Sequence, residues 1–262
     1  MNYVQLDQPS ETPQGKLEHS APKRKRHPLT RAVSVALVFF TGLFVATVLF
    51  RMTNPISPIA VAEMFGASGT KRAWLPLEKI SPDLPLAVIA SEDGRFCNHW
   101  GVDWAAVSDA IKQNGGIGPG LRGASTIPMQ LAKNLYLWPQ RSYLRKILEA
   151  PLAYLISALW NKRVVMETYL NIAPWGPVVG AESASQYYFQ KSAAELTRKE
   201  AILLATALPN PSGRNPANPS PRTLRIAKAV EQRMPMLASR SECVLPELGR
   251  VASPRSLSLP FL

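Results

Sequence analysis

Cysteine and histidine are scarce in this chain of 262 residues. It holds two cysteines, Cys97 and Cys243, and three histidines, His19, His27 and His99. Two cysteines cannot build a disulfide framework, and the sequence leaves open whether they form a single bridge. Cys and His ligands at zinc spacing are lacking, so we expect no metal site built from the protein's own side chains.

Acidic residues are also few compared with basic ones. The chain has 30 Lys and Arg against 18 Asp and Glu, which gives a formal net charge of +12 and a pI of about 10. This balance suits a nucleic acid, an anionic membrane surface or a phosphorylated substrate. Read alone, the basic run Lys23–His27 is compatible with nucleic-acid binding.

One long stretch has no charged residue at all. Ala32–Phe50 is 19 apolar or uncharged residues, and as a helix it would span roughly 28 Å, close to a bilayer core. The stretch is longer than the usual apolar core of a cleaved signal peptide, and no typical cleavage site closes it. A buried core helix is the other alternative, but few such helices are apolar all round.

We therefore predict an uncleaved signal anchor. The basic residues that precede it place the N-terminus in the cytoplasm, so the chain after Phe50 would lie in the periplasm. The expected localisation is the cytoplasmic (inner) membrane, crossed once, and nucleic acid is not an expected partner.

Composition and hydrophobic pattern divide the whole chain into five segments. We predict a basic tail at 1–31, the anchor at 32–50, a connector at 51–73, a catalytic domain at 74–235 and a C-terminal tail at 236–262. Helical periodicity dominates the domain, and Pro177–Val179 is a short strand candidate. Gly115–Gly120 predicts a mobile loop rather than a phosphate-binding loop, because no Gly-Lys-Ser/Thr follows it.

An acidic pair, Glu92 and Asp93, directly follows the apolar run Leu86–Ala90. A carboxylate at the end of an apolar segment is well placed for a raised pKa, which would suit a general base. The pair opens the motif E-D-x-x-F-x-x-H-x-G, in which Phe96 and His99 stand at the aromatic and histidine positions.

A second block, Gly123–Asn134, predicts a helix capped by Ser125 or Thr126 with Pro128 in its first turn. Its polar residues, Lys133 among them, share one face. The block could line a site or form an ordinary amphipathic surface helix.

In a third block, Arg141, Arg145 and Glu149 are spaced by four residues and fall on one helix face. With Lys146 and Lys133, the arginines could hold a diphosphate. The alternative is a solvated Arg145–Glu149 pair that contributes little.

The fourth block, Lys162–Phe189, and the fifth, Glu200–Pro216, are interpreted as mainly structural. In this order the five blocks resemble the peptidoglycan glycosyltransferases of family 51, over about Trp74–Pro216, and most closely their monofunctional type. The resemblance implies a mostly α, lysozyme-like domain with a small β element. It would follow one N-terminal transmembrane helix and bear a membrane-embedded jaw near the anchor.

The resemblance also implies an activity. The substrate would be lipid II, a disaccharide-peptide on undecaprenyl diphosphate, and the donor the growing glycan on the same lipid. An acceptor hydroxyl would attack the donor's anomeric carbon and form a β-1,4 link with inversion. No cofactor is expected to be obligatory, and a divalent cation such as Mg²⁺ could assist at the diphosphate. The other expected partners are membrane lipid and further cell-wall synthesis or division proteins.

By the resemblance, Glu92 is the general base and Glu149 the second catalytic carboxylate. The expected substrate-binding residues come from the first three blocks: Asp93, Phe96, His99, Ser125, Thr126, Gln130, Lys133, Asn134, Arg141, Arg145 and Lys146.

Some positions depart from the family pattern. Met129 would remove a polar group from the donor groove, Pro151 would distort the helix that bears Glu149, and Pro174 stands where relatives tend to have an acid. These departures keep open a catalytically weak membrane scaffold of cell-wall synthesis. A lysozyme-like glycan hydrolase on the same fold is the other alternative.

Overall fold

The computed structural model describes residues 28–55, 73–113, 124–140 and 142–246. The chain divides into two compact units, residues 1–42 and 43–262. Arg141, the predicted loop Gly115–Gly120 and most of the predicted connector lie outside the described residues. The same holds for the basic tail up to residue 27 and for the chain from residue 247 onward.

The described residues are mostly helical. The helices are α1 (Pro28–Met52), α2 (Asp83–Glu92), α3 (Trp104–Gln113), α4 (Ile127–Tyr136), α5 (Tyr143–Leu159), α6 (Lys162–Ile172), α7 (Ala181–Phe189), α8 (Arg198–Ala207) and α9 (Pro221–Ala238). Short 3-10 helices cover Leu77–Lys79, Phe96–Asn98 and Ala193–Glu195. Strands β1 (Pro174–Trp175) and β2 (Val178–Val179) pair antiparallel around Gly176, whose φ is +72°. The strand candidate in the sequence is thereby confirmed.

Helix α1 contains the predicted anchor. Its residues Thr30–Met52 are long and apolar enough to cross a membrane, judged by length and composition. Within the larger unit, the end of α1 packs on the domain. The Tyr136 hydroxyl donates to the Thr47 hydroxyl (2.9 Å), and the indole of Trp160 donates to the Thr47 carbonyl (2.9 Å).

Helix α2 is the centre of the core. All seven residues from Leu84 to Ala90 are buried, and the helix packs against α8 and α9. Because protein encloses α2 on every side, the helix has no polar face, and its apolar residues do not follow an amphipathic repeat. Its last residue, Glu92, is where the chain leaves the core.

Helix α4 is capped by Thr126, whose side chain accepts a hydrogen bond from the Met129 amide. The interpretation of this helix as an ordinary surface helix is wrong. α5 and α6 pack against it, and polar Asn134 is as buried as apolar Leu131. Part of the polar stripe is therefore covered by protein, whereas Gln130 and Lys133 stay partly exposed.

Helix α5 runs without a break through Pro151, from Tyr143 to Leu159. The proline does not end the helix, and Glu149 lies within it. Met129 is buried in a small apolar cluster with Val102 and Ala153. The expectation that Met129 faces the donor groove is wrong, because its side chain packs inward.

The two cysteines form a disulfide with a Cα–Cα distance of 5.8 Å. The bridge joins the 3-10 helix Phe96–Asn98 to the segment that follows α9. Ser241 and Val244 of that segment are fully buried, and the Val244 carbonyl accepts a hydrogen bond from Arg163 (2.7 Å). The first residues of the predicted C-terminal tail are thus part of the fold.

Candidate active site

Glu92 lies at the C-terminal end of α2 and keeps part of its surface open to solvent. Its Oε1 accepts a hydrogen bond from the Ser91 hydroxyl (3.1 Å), and its Oε2 accepts one from the Gln130 amide nitrogen (2.8 Å). Both donors are neutral. The carboxylate is thus oriented on both oxygens without a cation in hydrogen-bond contact.

Burial raises the pKa of Glu92 above the ordinary carboxyl value. The hydrogen bonds from Gln130 and Ser91 and the charge of Arg214 oppose this rise, whereas the neighbouring Asp93 adds to it. A carboxylate with a raised pKa holds a proton more tightly once it has taken one, as a general base requires. The chemistry predicted for this position fits its surroundings.

Tyr169 of α6 fixes the orientation of Gln130. Its hydroxyl donates to Gln130 Oε1 (2.9 Å), so the amide nitrogen of Gln130 points at Glu92. Tyr169 is fully buried, and burial raises its pKa well above the ordinary phenol value. The hydroxyl therefore remains a donor at neutral pH. Sequence reasoning missed Tyr169, because it stands in the block interpreted as structural.

Asp93 is enclosed and holds other elements in place. Its carboxylate accepts the Ile127 amide at the start of α4 (2.9 Å) and contacts Nε2 of His99 at 3.0 and 3.1 Å. The side chain is 2% exposed. Asp93 thus joins the end of α2, the turn that bears His99 and the first residue of α4, which is a positioning role.

Lys162 is a further residue that sequence reasoning did not single out. Its Nζ donates to the His99 carbonyl (2.7 Å) and lies 4.4 Å from the centroid of the Phe96 ring. Burial lowers its pKa to about 8, against the opposing charge of Asp93. Lys162 packs beneath the acidic motif together with Phe96, which is buried in the core.

Glu149 has cationic surroundings instead. Lys146 Nζ lies 2.8 Å from one oxygen and Arg145 Nη1 lies 3.6 Å from the other, while the Glu149 side chain is only 4% exposed. Lys146 also donates to the Ser125 hydroxyl (2.5 Å). The alternative of a solvated pair is wrong, because both Glu149 and Arg145 are largely buried.

Lys133 of α4 interacts with both carboxylates. Burial lowers its pKa, Arg145 and Lys146 lower it further, and the charges of Glu149 and Glu92 oppose this. Gln130, which contacts Glu92, and Lys133 are three residues apart on α4 and share one helix face, so α4 carries groups that face both glutamates. With Lys146 and Arg145, Lys133 forms what we call the Glu149 cation group.

Besides Asp93 and Phe96, two more predicted substrate-binding residues lie inside the protein. The Thr126 hydroxyl donates to the Gly101 carbonyl (2.5 Å) and accepts from the Met129 amide, and Asn134 is 1% exposed. Neither lines an open groove in this structure, so the prediction for these two is corrected: they support α4. Ser125 and Gln130 remain at the site through Lys146 and Glu92, and Arg141 lies outside the described residues.

A mostly helical domain with a desolvated glutamate beside a cation group is equipped to activate a hydroxyl next to an anionic group. The family model described as Transglycosylase matches residues 59–235, and the chain belongs to that family. The domain is lysozyme-like, which confirms both the resemblance and the predicted fold class.

Curated relatives cover most of the chain. It is 49% identical over 181 residues to a protein of Brucella suis biovar 1 (strain 1330), which is 69% of this chain and 80% of the relative. It is 43% identical over 212 residues to one from Agrobacterium fabrum (strain C58 / ATCC 33970), covering 80% and 93%. A protein of Rhodospirillum centenum (strain ATCC 51521 / SW) is 48% identical over 182 residues, covering 69% and 78%. Each of the three is called a biosynthetic peptidoglycan transglycosylase.

Proposed function

We propose that the chain polymerises the glycan strands of peptidoglycan from lipid II, forming β-1,4 links with inversion and releasing undecaprenyl diphosphate. One observation carries the proposal: a desolvated carboxylate oriented by neutral donors shares a site with a group of three cations. The first suits activation of a hydroxyl, and the second suits an anionic leaving group. Membership of the Transglycosylase family and the names of the relatives support the same reaction.

In this mechanism Glu92 accepts the proton of the acceptor's sugar hydroxyl as that oxygen attacks the donor's anomeric carbon. The bond to the diphosphate breaks on the opposite face, so the configuration inverts, and no covalent intermediate is needed. Lys146, Arg145 and Lys133 stabilise the negative charge that develops on the departing diphosphate. Glu149 holds two of these cations in place.

The help expected from a divalent cation at the diphosphate remains a proposal. Among the described residues no group of three or more His, Cys, Asp or Glu side chains could hold a metal ion. Glu149, the carboxylate nearest the proposed diphosphate position, is already in contact with Lys146 and Arg145. In the proposed reaction the three cations therefore stabilise the diphosphate.

Exposed apolar side chains support the action of the domain at a membrane surface. Trp104 of α3 and Tyr143, Leu144 and Ile147 of α5 are each more than 60% exposed. The three residues of α5 lie next in sequence to its cations, and the Trp104 indole donates to the Tyr154 hydroxyl of the same helix. A diphosphate attached to a lipid chain would require apolar and cationic groups near each other in this way. With α1 as a single-pass anchor, we propose that this surface contacts lipid.

The disulfide supports a location for the domain outside the cytoplasm, because such bonds persist in oxidising compartments. The N-terminus would then be cytoplasmic, in agreement with the basic residues before α1. Further cell-wall synthesis or division proteins stay proposed partners.

The two other functions have less support. The cation group has no evident use in a hydrolase that cleaves finished, uncharged glycosidic links. The scaffold hypothesis depended on Met129, Pro151 and Pro174. Met129 packs inward, Pro151 leaves α5 unbroken, and Pro174 is part of strand β1.

The test is polymerisation of purified lipid II by the full-length protein in detergent. We expect long glycan that a muramidase digests, and loss of most of this product with Lys146→Met, which removes a cation but keeps the side chain's length. Lys199→Met, at an exposed position of α8, is the matched control. Absence of polymer, together with fragments released from isolated sacculi, would instead establish the hydrolase.

A further inference from the structure

A second cationic surface lies beside Ser91, the residue that precedes Glu92. It lines a cavity of about 550 Å³ bounded by Ser91, by Arg214 and by three arginines of α9, namely Arg222, Arg225 and Arg233. Apolar residues of α9, including Val230, complete the wall. The described lining therefore holds four guanidinium groups and no carboxylate, which makes the cavity a strongly positive one.

The α9 arginines are exposed and share one helix face, because their spacing of three and eight residues matches the helical repeat. None of the three forms an ion pair with any residue of the described part. Charges of one sign held together without a partner repel one another. An anionic ligand would relieve that repulsion, and guanidinium groups are suited to planar carboxylates.

The cavity adjoins the base directly. Ser91 lines it, and the Ser91 hydroxyl donates to Glu92 Oε1 (3.1 Å). The other oxygen of Glu92 faces Gln130 of α4, the helix that bears Lys133. One oxygen of Glu92 is thus bonded to a residue of the cavity wall, and the other to the helix that bears Lys133.

We propose that the arginine cavity binds a carboxylate of the peptide that the substrate's sugar carries. This rests on the proposed function, which assigns the diphosphate to the Glu149 cation group. A disaccharide-peptide has its remaining negative charge on the carboxylates of the peptide. A disaccharide-peptide that presents its hydroxyl to Glu92 brings the peptide on its other sugar within reach of the cavity beside Ser91. The cavity then selects peptide-bearing glycan over bare glycan.

Binding tests this without requiring activity. The probe is a fluorescent disaccharide-peptide without lipid or diphosphate, in a charged form and in a form with its carboxylates amidated. We expect the full-length protein to bind the charged form roughly ten-fold more tightly, in line with hydrogen bonds between charged groups. Arg222→Gln, Arg225→Gln and Arg233→Gln together should abolish the difference. Lys228→Gln, an exposed position of α9 outside the cavity, should preserve it.

Equal affinity for the two probes, or unchanged preference in the triple variant, would overturn the proposal. Kinetics with lipid II give a second readout: the triple variant should raise KM for peptide-charged lipid II with little change in kcat, and leave KM for amidated lipid II unchanged. An equal rise for both substrates would assign the cavity to the diphosphate instead. If the protein bound the charged probe selectively but could not polymerise lipid II, the proposed function would be refuted. The binding site for a peptide carboxylate would still be supported.

Discussion

Two glutamates at one site have opposite surroundings. Glu92 is hydrogen-bonded by the neutral groups of Ser91 and Gln130, whereas Glu149 contacts the cations of Lys146 and Arg145. Both are largely enclosed by protein, so burial alone does not distinguish them. The partners do: a neutral donor orients a carboxylate and leaves it able to take up a proton, while a cation neutralises it in place. One residue is thus prepared for reaction and the other for holding charge.

The strongest test of this contrast is the rate of Glu92→Gln. The amide retains the size of the side chain but cannot accept a proton, so we expect lipid II polymerisation to fall by roughly 10²- to 10⁴-fold, the range for loss of a general base. Glu195→Gln, at an exposed position, should keep wild-type activity. Activity near wild type in Glu92→Gln would remove this residue from the role of base.

The second prediction concerns stability in Glu149→Gln. Lys146 and Arg145 lose their shared carboxylate, and Arg145 is mostly buried. We expect the free energy of unfolding to fall by roughly 1–3 kcal/mol, the range for a buried polar group that loses its charged partner. Denaturant unfolding of the detergent-solubilised protein would measure it. An unchanged midpoint would mean that the contacts are too solvated to matter.

The same substitution at Glu92 should have the opposite effect and raise the stability of the fold. Because burial raises the folded-state pKa of Glu92, the ionised carboxylate costs the fold stability once the pH exceeds that pKa. Below the ordinary carboxyl pKa the group is protonated in both states, and the cost vanishes. Glu92→Gln should therefore raise Tm at neutral pH, with the gain shrinking as the pH falls towards that of an unperturbed carboxyl. A Tm gain independent of pH would point to packing rather than charge.

The smallest expected effect concerns the pH profile. The hydrogen bond from Gln130 lowers the pKa of Glu92 and partly offsets burial. Gln130→Met removes that donor at similar size, so the acidic limb of the rate profile should move to higher pH. Tyr169→Phe, which frees the Gln130 amide to rotate, should move it in the same direction by less. A profile that stays in place for both variants would show that Gln130 does not act on Glu92.

Local features of the sequence predicted much of this arrangement. The apolar run before Glu92 indicated a desolvated carboxylate, and the residues before α4 predicted its cap, because a capping hydroxyl acts within three residues. The spacing of Arg145 and Glu149 likewise placed them on one face. Each of these inferences depends on one helix or one turn.

Contacts between distant segments could not be predicted in this way. Periodicity shows that α4 has a polar face but not that α5 and α6 cover it, which is why Thr126 and Asn134 were expected in a groove. Tyr169 and Gln130 are 39 positions apart, and no local pattern relates them. The sequence alone also gave no reason to place the arginines of α9 beside Ser91.

The disulfide has a consequence for how the protein is made. Its two cysteines are 146 positions apart, and a ribosome adds Cys97 long before Cys243. The bridge to the turn between Asp93 and His99 can close only when α9 and the residues after it exist. A chain interrupted before Cys243 would contain both Glu92 and Glu149 yet lack this bond. The disulfide close to Glu92 in sequence therefore forms late, after nearly all of the domain has been synthesised.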